Sequence, residues 1–413
     1  MRLGHPGSFD RVLADVAVVG GGPAGSAAAV TLARAGRRVV LVDKARFPRD
    51  KICGDGLTTG ALRLLQGLGL RPASVSSWQV VAEAVVRSPT GRAVRFALPA
   101  GQGTFAAVTR RAHLDAAVLD LARDAGVDVR DGHAVTGAEV AGDRVRLDVA
   151  GIGEISARYA IGADGMWSPL RRCLGASQPG YRGEWHAFRQ YFTGVGPGAA
   201  ALHVWFEADL LPGYAWSFPL PGGRANVGFG IQRGGRYSVR EMASVWPDLL
   251  ARPHVRAALG PDAEPESPHR AWPIPARIDQ VELTAGEGRV LFVGDAAAAT
   301  DPMTGEGIAQ ALLTGIRAAE AVDGAGPYAP SDAARRYTGA VRRELVADHR
   351  MSMLLIRALR HRRGAEAAVR IAGATDWTRR NFARWLFEDE PRAAALTPSR
   401  WHRGFLARPG AYG

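Results

Sequence analysis

Three glycines and an acidic residue near the amino terminus have the spacing of a dinucleotide-binding site. Gly20, Gly22 and Gly25 fit the pattern GxGxxG, and Asp43 follows Gly25 by 18 residues. Gly20 permits a tight turn, Gly22 lets a pyrophosphate approach the backbone, and Gly25 allows close packing of the next helix. Asp43 is placed to accept hydrogen bonds from ribose, while the helix amino terminus faces the phosphates. The spacing therefore predicts a bound dinucleotide.

The elements around these residues are those that a dinucleotide site needs. Residues 15–44 read as a buried strand, a glycine-rich turn, a helix that stops near Gly36, and a second apolar strand ending at Asp43. Residues 289–322 repeat the order of buried strand, loop and long helix. Residues 78–107 and about 180–275 alternate in hydrophobicity and are rich in turn residues, which predicts a separate antiparallel sheet.

We therefore predict an α/β fold with a discontinuous Rossmann-like nucleotide-binding domain, an inserted antiparallel-sheet substrate domain and a helical carboxyl-terminal region. The nucleotide-binding domain comprises residues 11–77, 108–178 and 284–330. The substrate domain comprises residues 78–107 and 179–283, and the helical region comprises residues 331–413.

Composition excludes several classes of protein. With 413 residues, 47% hydrophobic and 22% charged, the chain is expected to be globular rather than disordered or fibrous. Cys53 and Cys173 form neither a disulfide framework nor a ligand-spaced pair, so we expect a reducing, cytoplasmic compartment and no metal site. Residues 1–10 lack the apolar core of a signal peptide, and GGGPAG (20–25) interrupts the apolar stretch Val16–Ala33, so no transmembrane segment is expected.

Two later stretches resemble fingerprints of FAD enzymes of the p-hydroxybenzoate hydroxylase type. They are IGADGMWSPLRR (161–172) and LFVGDAAAATDPMTGEGI (291–308). The resemblance implies that the dinucleotide is FAD and that Asp295 binds its ribityl or pyrophosphate region. It also implies that the amides of Gly307 and Ile308 face the flavin pyrimidine edge, where a helix amino terminus stabilises the negative charge of reduced flavin. The other residues expected to contact FAD are Ala24, Lys44, Arg111 (spaced from Asp115 as in the family's R-x-x-x-D), Ala134, Asp164, Gly165, Gly294 and Gly305.

Three further motifs resemble those of the geranylgeranyl reductase family. KICGDG (51–56), GYAWSFPLPGGRANVGFG (213–230) and PMTGEGI (302–308) match its K-x-C-G-x-G, Y-x-W-x-F-P and P-x-x-G-E-G-I motifs, within a similarity that spans residues 14 to about 322. FARWLFEDEP (382–391) also resembles the tail of some bacterial members. The family, which includes menaquinone side-chain reductases, implies saturation of isolated isoprenoid double bonds by reduced FAD.

The resemblance directs attention to an aromatic strand and to the loop at 51–56. An isolated alkene is a poor hydride acceptor, so the site must help a proton reach one carbon while positive charge builds on the other. Tyr214, Trp216 and Phe218 alternate along a predicted strand and would either stabilise this charge from one face or form an aromatic core stripe. Cys53 would donate a proton, pack, or contact FAD.

The other residues of these loops have interpretations of their own. Gly54 and Gly56 let backbone amides approach the flavin. Asp55 and Glu306 are alternative proton sources, and Glu306 is equally placed to cap the following helix. Lys51 would hold a phosphate or an acid at the base of the loop, or be solvated.

Competing functions stay open on the sequence. The same cofactor fingerprints serve hydroxylases, in which a flavin hydroperoxide transfers oxygen to an aromatic or polyketide-like substrate. Flavin halogenases carry a related W-x-W-x-I-P strand, but here residue 214 is tyrosine and residue 218 is phenylalanine. Halogenases also need a catalytic lysine further along the chain, and no lysine follows Lys51, so this function ranks third. A non-enzymatic FAD protein would bind flavin without turnover. No second GxGxxG follows a strand, so either NAD(P)H visits the flavin transiently or an electron-donor protein reduces it.

The carboxyl-terminal region is strongly basic. Residues 341–413 contain 15 arginines and 7 acidic residues in a chain of formal net charge +12. No nucleic-acid-binding motif accompanies this charge, so no nucleic-acid partner is expected. Basic segments with apolar faces favour peripheral docking on an anionic membrane, or else helices packed on the substrate domain. The apolar residues concerned are Met351, Leu354, Leu355, Leu359, Trp377, Phe382, Trp385 and Phe387.

Overall fold

The computed structural model describes residues 12–387, 390–394, 397–401, 403 and 407–413. Parts of the sequence-based predictions fall on residues outside the described ones, namely 1–11, 388–389, 395–396, 402 and 404–406. The strands are β1 (Val12–Val19), β2 (Val39–Asp43), β3 (Gly56–Leu57), β4 (Gln79–Val80), β5 (Glu83–Arg87), β6 (Ala93–Ala97), β7 (Ala107–Val108), β8 (Asp128–Asp131), β9 (Val135–Ala141), β10 (Arg144–Val149), β11 (Gly153–Gly162), β12 (Trp185–Thr193), β13 (Leu202–Trp205), β14 (Ala215–Leu220), β15 (Arg224–Gln232), β16 (Glu264–Pro265), β17 (Arg270–Ile274), β18 (Thr284–Ala285) and β19 (Val290–Phe292). The helices are α1 (Pro23–Arg34), α2 (Thr59–Gly67), α3 (Arg111–Asp124), α4 (Pro169–Cys173), α5 (Met242–Ala251), α6 (Pro253–Leu259), α7 (Ile308–Ala325), α8 (Pro330–Val341), α9 (Ala347–Leu359), α10 (Arg362–Ala372) and α11 (Asp376–Leu386).

The first sheet is a Rossmann-like layer in the order β18-β19-β11-β1-β2-β8. Strands β19, β11, β1, β2 and β8 run parallel, and β9 and β10 form an antiparallel hairpin against β11. Their valine-rich sequences are buried on both faces, as a sheet covered by helices requires. Helices α1 and α7 pack so closely that a Cβ added to Gly315 would lie 2.1 Å from the Ala24 carbonyl oxygen. This confirms the predicted fold class.

The second sheet has the order β16-β12-β15-β14-β13-β5-β6, with β17 also paired to β12. Its pairs are antiparallel except β13 with β5. Phe188, Phe229 and Trp246 fill the core between this sheet and helices α5 and α6. These two helices were not predicted, because prolines and glycines around them favoured loops.

A small third sheet, β3-β7-β4, anchors the end of the KICGDG loop. Gly56 pairs with Val108, and Leu57 pairs with Ala107. The sequence analysis placed all of residues 78–107 in the second sheet, but only β5 and β6 join it. The other two strands of that stretch are two residues long and carry no period that a pattern could reveal.

Helices α8 to α11 form the predicted helical region, and α10 and α11 pack against β6 of the second sheet. Val369, Ala372, Ala383 and Phe387 are buried there with Phe96. Among the described residues, we find no helix with both the length and the apolarity that a membrane crossing needs.

Candidate active site

A cavity of about 540 Å³ lies at the carboxyl ends of β1, β2 and β11 and faces β14 and β17 of the second sheet. This is the edge at which ligands bind in open parallel sheets. Residues predicted to bind FAD and residues predicted to take part in catalysis both line this cavity. The lining includes Gly20, Gly22, Ala24, Asp43, Lys44, Cys53, Gly54, Gly56, Arg111, Ala134, Asp164, Gly165, Tyr214, Trp216, Gly294, Asp295, Gly305, Glu306, Gly307 and Ile308. Gly25 lies behind this surface.

The glycines of the first loop shape the entry of α1. Gly20 has φ +109°, and a Cβ there would lie 2.2 Å from the Ala163 carbonyl oxygen. A Cβ on Gly25 would lie 1.8 Å from the Gly20 carbonyl oxygen, whereas one on Gly22 would point toward the Arg49 guanidinium, 3.4 Å away. Gly22 therefore leaves open exactly the space in front of α1 that a phosphate would use, while Gly20 and Gly25 hold the turn.

Asp43 has a structural task in addition to the predicted one. Its Oδ2 accepts a 2.7 Å hydrogen bond from the Gly21 amide, and its Oδ1 accepts one of 2.8 Å from the Ala45 amide. The carboxylate thus fixes the glycine turn to the end of β2. Because a carboxylate accepts about four hydrogen bonds, each oxygen of Asp43 can still accept one from a ribose hydroxyl.

Arg111 at the start of α3 makes a bidentate pair with Asp115. Its Nε and Nη2 each lie 2.8 Å from an oxygen of Asp115, and Arg49 Nη1 lies 3.0 Å from the same carboxylate. Burial alone would lower the pKa of Arg111, but Asp115 and Cys53 together raise it. The guanidinium is therefore a fixed positive charge that lines the cavity next to Cys53.

The loop after β19 meets the KICGDG loop through an ion pair. Lys51 Nζ lies 3.5 Å from Asp295 Oδ2 and 4.4 Å from the centroid of the Trp272 ring. Burial lowers the pKa of Lys51, and Asp295 partly offsets this effect. Of the two interpretations of Lys51, the structure has the lysine paired with an acid.

The loop before α7 is held by several short polar contacts. Glu306 Oε1 accepts a 2.8 Å hydrogen bond from the Ala309 amide, so Glu306 caps the helix that begins at Ile308. The Tyr214 hydroxyl donates to the Thr304 carbonyl oxygen. Burial raises the pKa of Tyr214, so its hydroxyl stays protonated.

The KICGDG loop is bent over the cavity with Cys53 at its centre. Cys53 is half-buried, and its Sγ accepts a weak 3.4 Å hydrogen bond from the Asp55 amide. Burial raises the pKa of Cys53, while Arg111 opposes the shift. The thiol therefore keeps its proton at neutral pH.

Tyr214, Trp216 and Phe218 form a continuous aromatic wall on one side of the cavity. Neighbouring ring centroids are 6.1 Å apart in both pairs. Cβ atoms added to Gly54 or Gly56 would each lie 3.2 Å from Phe218 Cε2, so the loop glycines let the wall approach the backbone. Tyr214 and Phe218 line the cavity and also pack against the hydrophobic core that contains Phe96 and Val204.

Sequence comparisons match about three quarters of the chain to known flavoproteins. The FAD binding domain family matches residues 13–317. The chain is 34% identical over 333 residues to menaquinone reductase of Mycobacterium tuberculosis, covering 75% of this chain and 76% of that protein. It is 32% identical over 319 residues to digeranylgeranylglycerophospholipid reductase 2 of Methanopyrus kandleri, covering 74% and 76%. The chain belongs to the geranylgeranyl reductase family of FAD-dependent oxidoreductases.

Solved structures share the fold of this geranylgeranyl reductase family member. A geranylgeranyl bacteriochlorophyll reductase-like protein from Thermoplasma acidophilum has a TM-score of 0.77 at 21% identity, covering 95% of this chain and 100% of that one. A flavin-dependent halogenase has a TM-score of 0.68 at 24% identity, covering 96% and 74%. At these identities the likeness concerns the fold alone, so reductases and halogenases build on one scaffold.

The residues of this reductase fit FAD on structural grounds. The open space in front of Gly22 and the start of α1 suit the diphosphate, and α7 presents a second helix amino terminus at Gly307. The fixed charges of Arg49 and Arg111 add positive potential to the same cavity. FAD in this family supplies two electrons for reduction, and the chain must bind, shield and orient it.

Several lining residues were missed by the sequence analysis. Arg49, Arg270, Trp272 and Phe387 all line the cavity, although Phe387 was considered as a lipid-facing residue. Trp272 could not be found from a local pattern, because it reaches Lys51 only through the pairing of β17 with β12. Arg49 could have been suspected from its position, because it lies two residues before the KICGDG motif.

Proposed function

We propose that this protein uses FAD to reduce carbon–carbon double bonds of an isoprenoid chain or of a related apolar natural product. The observation that carries the proposal is that the glycine loops and the aromatic wall face one shared cavity. Leu202, Val204 and Leu386 add aliphatic surface to the same lining. The relatives named menaquinone reductase and digeranylgeranylglycerophospholipid reductase support this substrate class.

The side chains of the cavity suit the demands of an isolated alkene. The faces of Tyr214, Trp216 and Phe218 would each stabilise positive charge on a substrate carbon by about 1–2 kcal/mol in a dry site. We assign proton delivery to Cys53, whose pKa burial raises, because a protonated thiol is then retained beside the wall. Glu306 is the second proton carrier on the lining, and its cap on α7 holds the Gly307 and Ile308 amides in place.

A mass experiment tests the proposal and separates it from its competitor. Anaerobic, chemically reduced protein is incubated with menaquinone, geranylgeranyl diphosphate or a geranylgeranylated lipid, the extracts are reoxidised in air so that any quinol returns to the quinone, and a product two mass units heavier is then expected. The same mixtures in air with labelled oxygen should give no labelled product. Labelled oxygen in the product would instead establish a hydroxylase, and no change in any substrate would overturn the reductase assignment.

We further propose that NAD(P)H or an electron-donor protein reduces the flavin from outside the cavity. The sequence contains one GxGxxG after a strand, and Gly20 and Gly22 of that motif line the cavity described above. Bleaching of the flavin should follow addition of NADH, NADPH or a reduced iron–sulfur donor without substrate. The donor with the highest rate identifies the partner class, and failure of all three rejects this set.

We also propose that a turn of the helical region docks on anionic lipid. Ile371 and Trp377 are 64% and 65% exposed on either side of residues 373–374, and exposed arginines flank them. The docking surface is narrower than the sequence suggested, because Leu359 and Phe387 are buried. Vesicle flotation should depend on anionic lipid and fall on the double change Ile371→Ser, Trp377→Ser. The matched change Tyr328→Ser, at a residue 74% exposed, should leave flotation unchanged; equal losses would reject the surface.

A further inference from the structure

The Cys53–Gly56 turn is held from behind by buried polar side chains to which the proposed chemistry assigns no task. Asp55 is fully buried, and its Oδ2 accepts a 2.7 Å hydrogen bond from the Tyr191 hydroxyl and a 2.9 Å bond from Asn226 Nδ2. Its Oδ1 accepts a 3.3 Å bond from the Arg111 amide. The acid of the KICGDG motif thus points away from solvent and into a fixed set of donors.

Asn226 of β15 connects three groups of the site through one amide. Its Nδ2 donates 2.8 Å to the Cys53 carbonyl oxygen and 2.9 Å to the Asp55 carboxylate. Its Oδ1 accepts a 3.1 Å hydrogen bond from Trp216 Nε1. The loop that carries the thiol and the wall that carries the indole are therefore joined by a single buried side chain.

The position of Asp55 is unfavourable in two ways. Its φ of +67° lies in the left-handed region, which costs a non-glycine residue about 1 kcal/mol. Burial raises its pKa to about 6, against the hydrogen bonds of Tyr191 and Asn226 and the charges of Arg189 and Arg111. Cys53 on the same loop and Arg110 before α3 are further titratable neighbours. Strain and a buried acid at one residue of a cavity lining are typical of functional sites.

We propose that Asp55 and Asn226 are positioning residues that hold the Cys53 thiol and the Trp216 indole in one fixed arrangement at the cavity wall. The ionised carboxylate accepts from all three donors described above. Burial nevertheless favours the protonated carboxyl in the closed turn, because it raises the pKa of Asp55, so ionisation as the pH rises through about 6 loosens the turn. The catalytic value of this arrangement rests on the proposed function, whereas the arrangement itself does not.

The reactivity of Cys53 measures the arrangement without any substrate. Exposed Cys173 is first replaced by serine, and the holoprotein is treated with a pyridyl disulfide, which reacts with thiols in acid as well as at neutral pH. Asn226→Leu should raise the rate at Cys53 by about tenfold or more, because the loop loses its anchor and opens more often. The indole signal in near-ultraviolet circular dichroism should change in the same variant.

Gln190 provides a matched control in the neighbouring strand. It is a buried amide that accepts 2.7 Å from Trp246 Nε1 and donates 2.7 Å to the Ser267 carbonyl oxygen, in the other core of the sheet. Gln190→Leu should lower the thermal midpoint about as much as Asn226→Leu while leaving the Cys53 rate within about twofold. Equal acceleration by both variants, or none by Asn226→Leu, would overturn the proposal.

A second variant tests the carboxylate and stays informative if Asn226→Leu fails to fold. In the parent protein, the Cys53 rate should show a step centred near pH 6 beyond the reagent's own pH dependence, and Asp55→Asn should abolish that step. A step that persists in Asp55→Asn would remove Asp55 from the proposal. Because neither measurement needs an alkene, both can succeed even if the reductase assignment fails, and the reverse also holds.

Discussion

Lys51 Nζ lies 3.5 Å from Asp295 Oδ2, although the two residues are 244 positions apart in the sequence. The pair joins the KICGDG loop to the loop that follows β19, and the Trp272 ring lies 4.4 Å from the same ammonium group. The two side chains are 23% and 26% exposed. The contact is therefore partly shielded from water, and Asp295 offsets part of the cost of burying the Lys51 ammonium group.

Lys51→Met should remove this link and leave Asp295 without its cation. We expect the free energy of unfolding to fall by about 1–2 kcal/mol, since a partly buried ion pair and a cation–π contact are lost together. Urea unfolding at fixed FAD concentration measures the loss. Arg71 supplies a control, because it is exposed and does not line the cavity, so Arg71→Met should change the same free energy by less than about 0.5 kcal/mol. Similar losses in both variants would contradict a specific role for the pair.

Alanine substitutions in the first glycine loop should separate binding from folding. Gly22→Ala should leave the protein folded but reduce its content of FAD, because the added Cβ occupies the space in front of α1 and its nearest neighbour is Arg49 Nη2 at 3.4 Å. Gly25→Ala should prevent folding, since its Cβ would lie 1.8 Å from the Gly20 carbonyl oxygen. Visible absorbance gives the FAD content, and circular dichroism gives the fold.

A neutral alanine substitution calibrates that comparison. Gly67 at the end of α2 has no atom within 4 Å of an added Cβ, so Gly67→Ala should keep both FAD content and stability. A Gly22→Ala protein that carries as much FAD as Gly67→Ala would show that the diphosphate does not use this space.

Two buried tryptophans with similar surroundings distinguish catalysis from packing. Trp216 and Trp246 are 6% and 4% exposed, and each donates its indole hydrogen to an amide oxygen. Changing either to leucine should cost about 2–4 kcal/mol of stability. Only Trp216→Leu should also lower kcat, by about 5- to 30-fold, because it removes one aromatic face from the cavity. Steady-state kinetics decides, and an equal fall in kcat for Trp246→Leu would reduce Trp216 to a packing residue.

The sequence predicted best those parts of the site that are local in the chain. Gly20, Gly22 and Asp43 belong to one strand–helix–strand unit, so their spacing alone implies their meeting. The alternation of Tyr214, Trp216 and Phe218 likewise places three rings on one face of β14 and of the residue before it. In each case the spacing of residues within one continuous segment was enough for the prediction, and in the structure these residues line the cavity.

Contacts between distant segments could not be predicted in this way. Asp55 meets Tyr191 and Asn226 only because β12 and β15 pair beneath the loop, and no local pattern encodes that pairing. Phe387 shows a related failure, because an apolar side chain in a basic helix looks the same whether it faces lipid or a cavity. Its burial at 5% exposure follows from the packing of α11 on the second sheet, which the amphipathic pattern left undecided.

The buried carboxyl of Asp55 should make stability depend on pH in a recognisable direction. Its pKa rises from 3.8 in the unfolded chain to about 6 in the folded protein, so the folded state binds the proton more tightly. The stabilisation is therefore complete below about pH 4 and is lost as the pH rises through about 6, a change of up to about 3 kcal/mol for a fully buried group. Asp55→Asn lacks this proton equilibrium, so the unfolding free energy of the natural protein should fall relative to the variant between pH 4 and 7.

Urea unfolding of both proteins across this range measures the difference, and Asp209 supplies a control of opposite sign. Burial would raise the pKa of Asp209, but its hydrogen bonds and charge contact with Arg252 lower it. The natural protein should therefore lose stability relative to Asp209→Asn only as the pH falls below about 4, and the two curves should stay parallel from pH 4 to 7. If the curves for Asp55→Asn and the natural protein stay parallel from pH 4 to 7, the carboxyl of Asp55 does not titrate in this window, and its buried hydrogen bonds must hold one protonation state throughout.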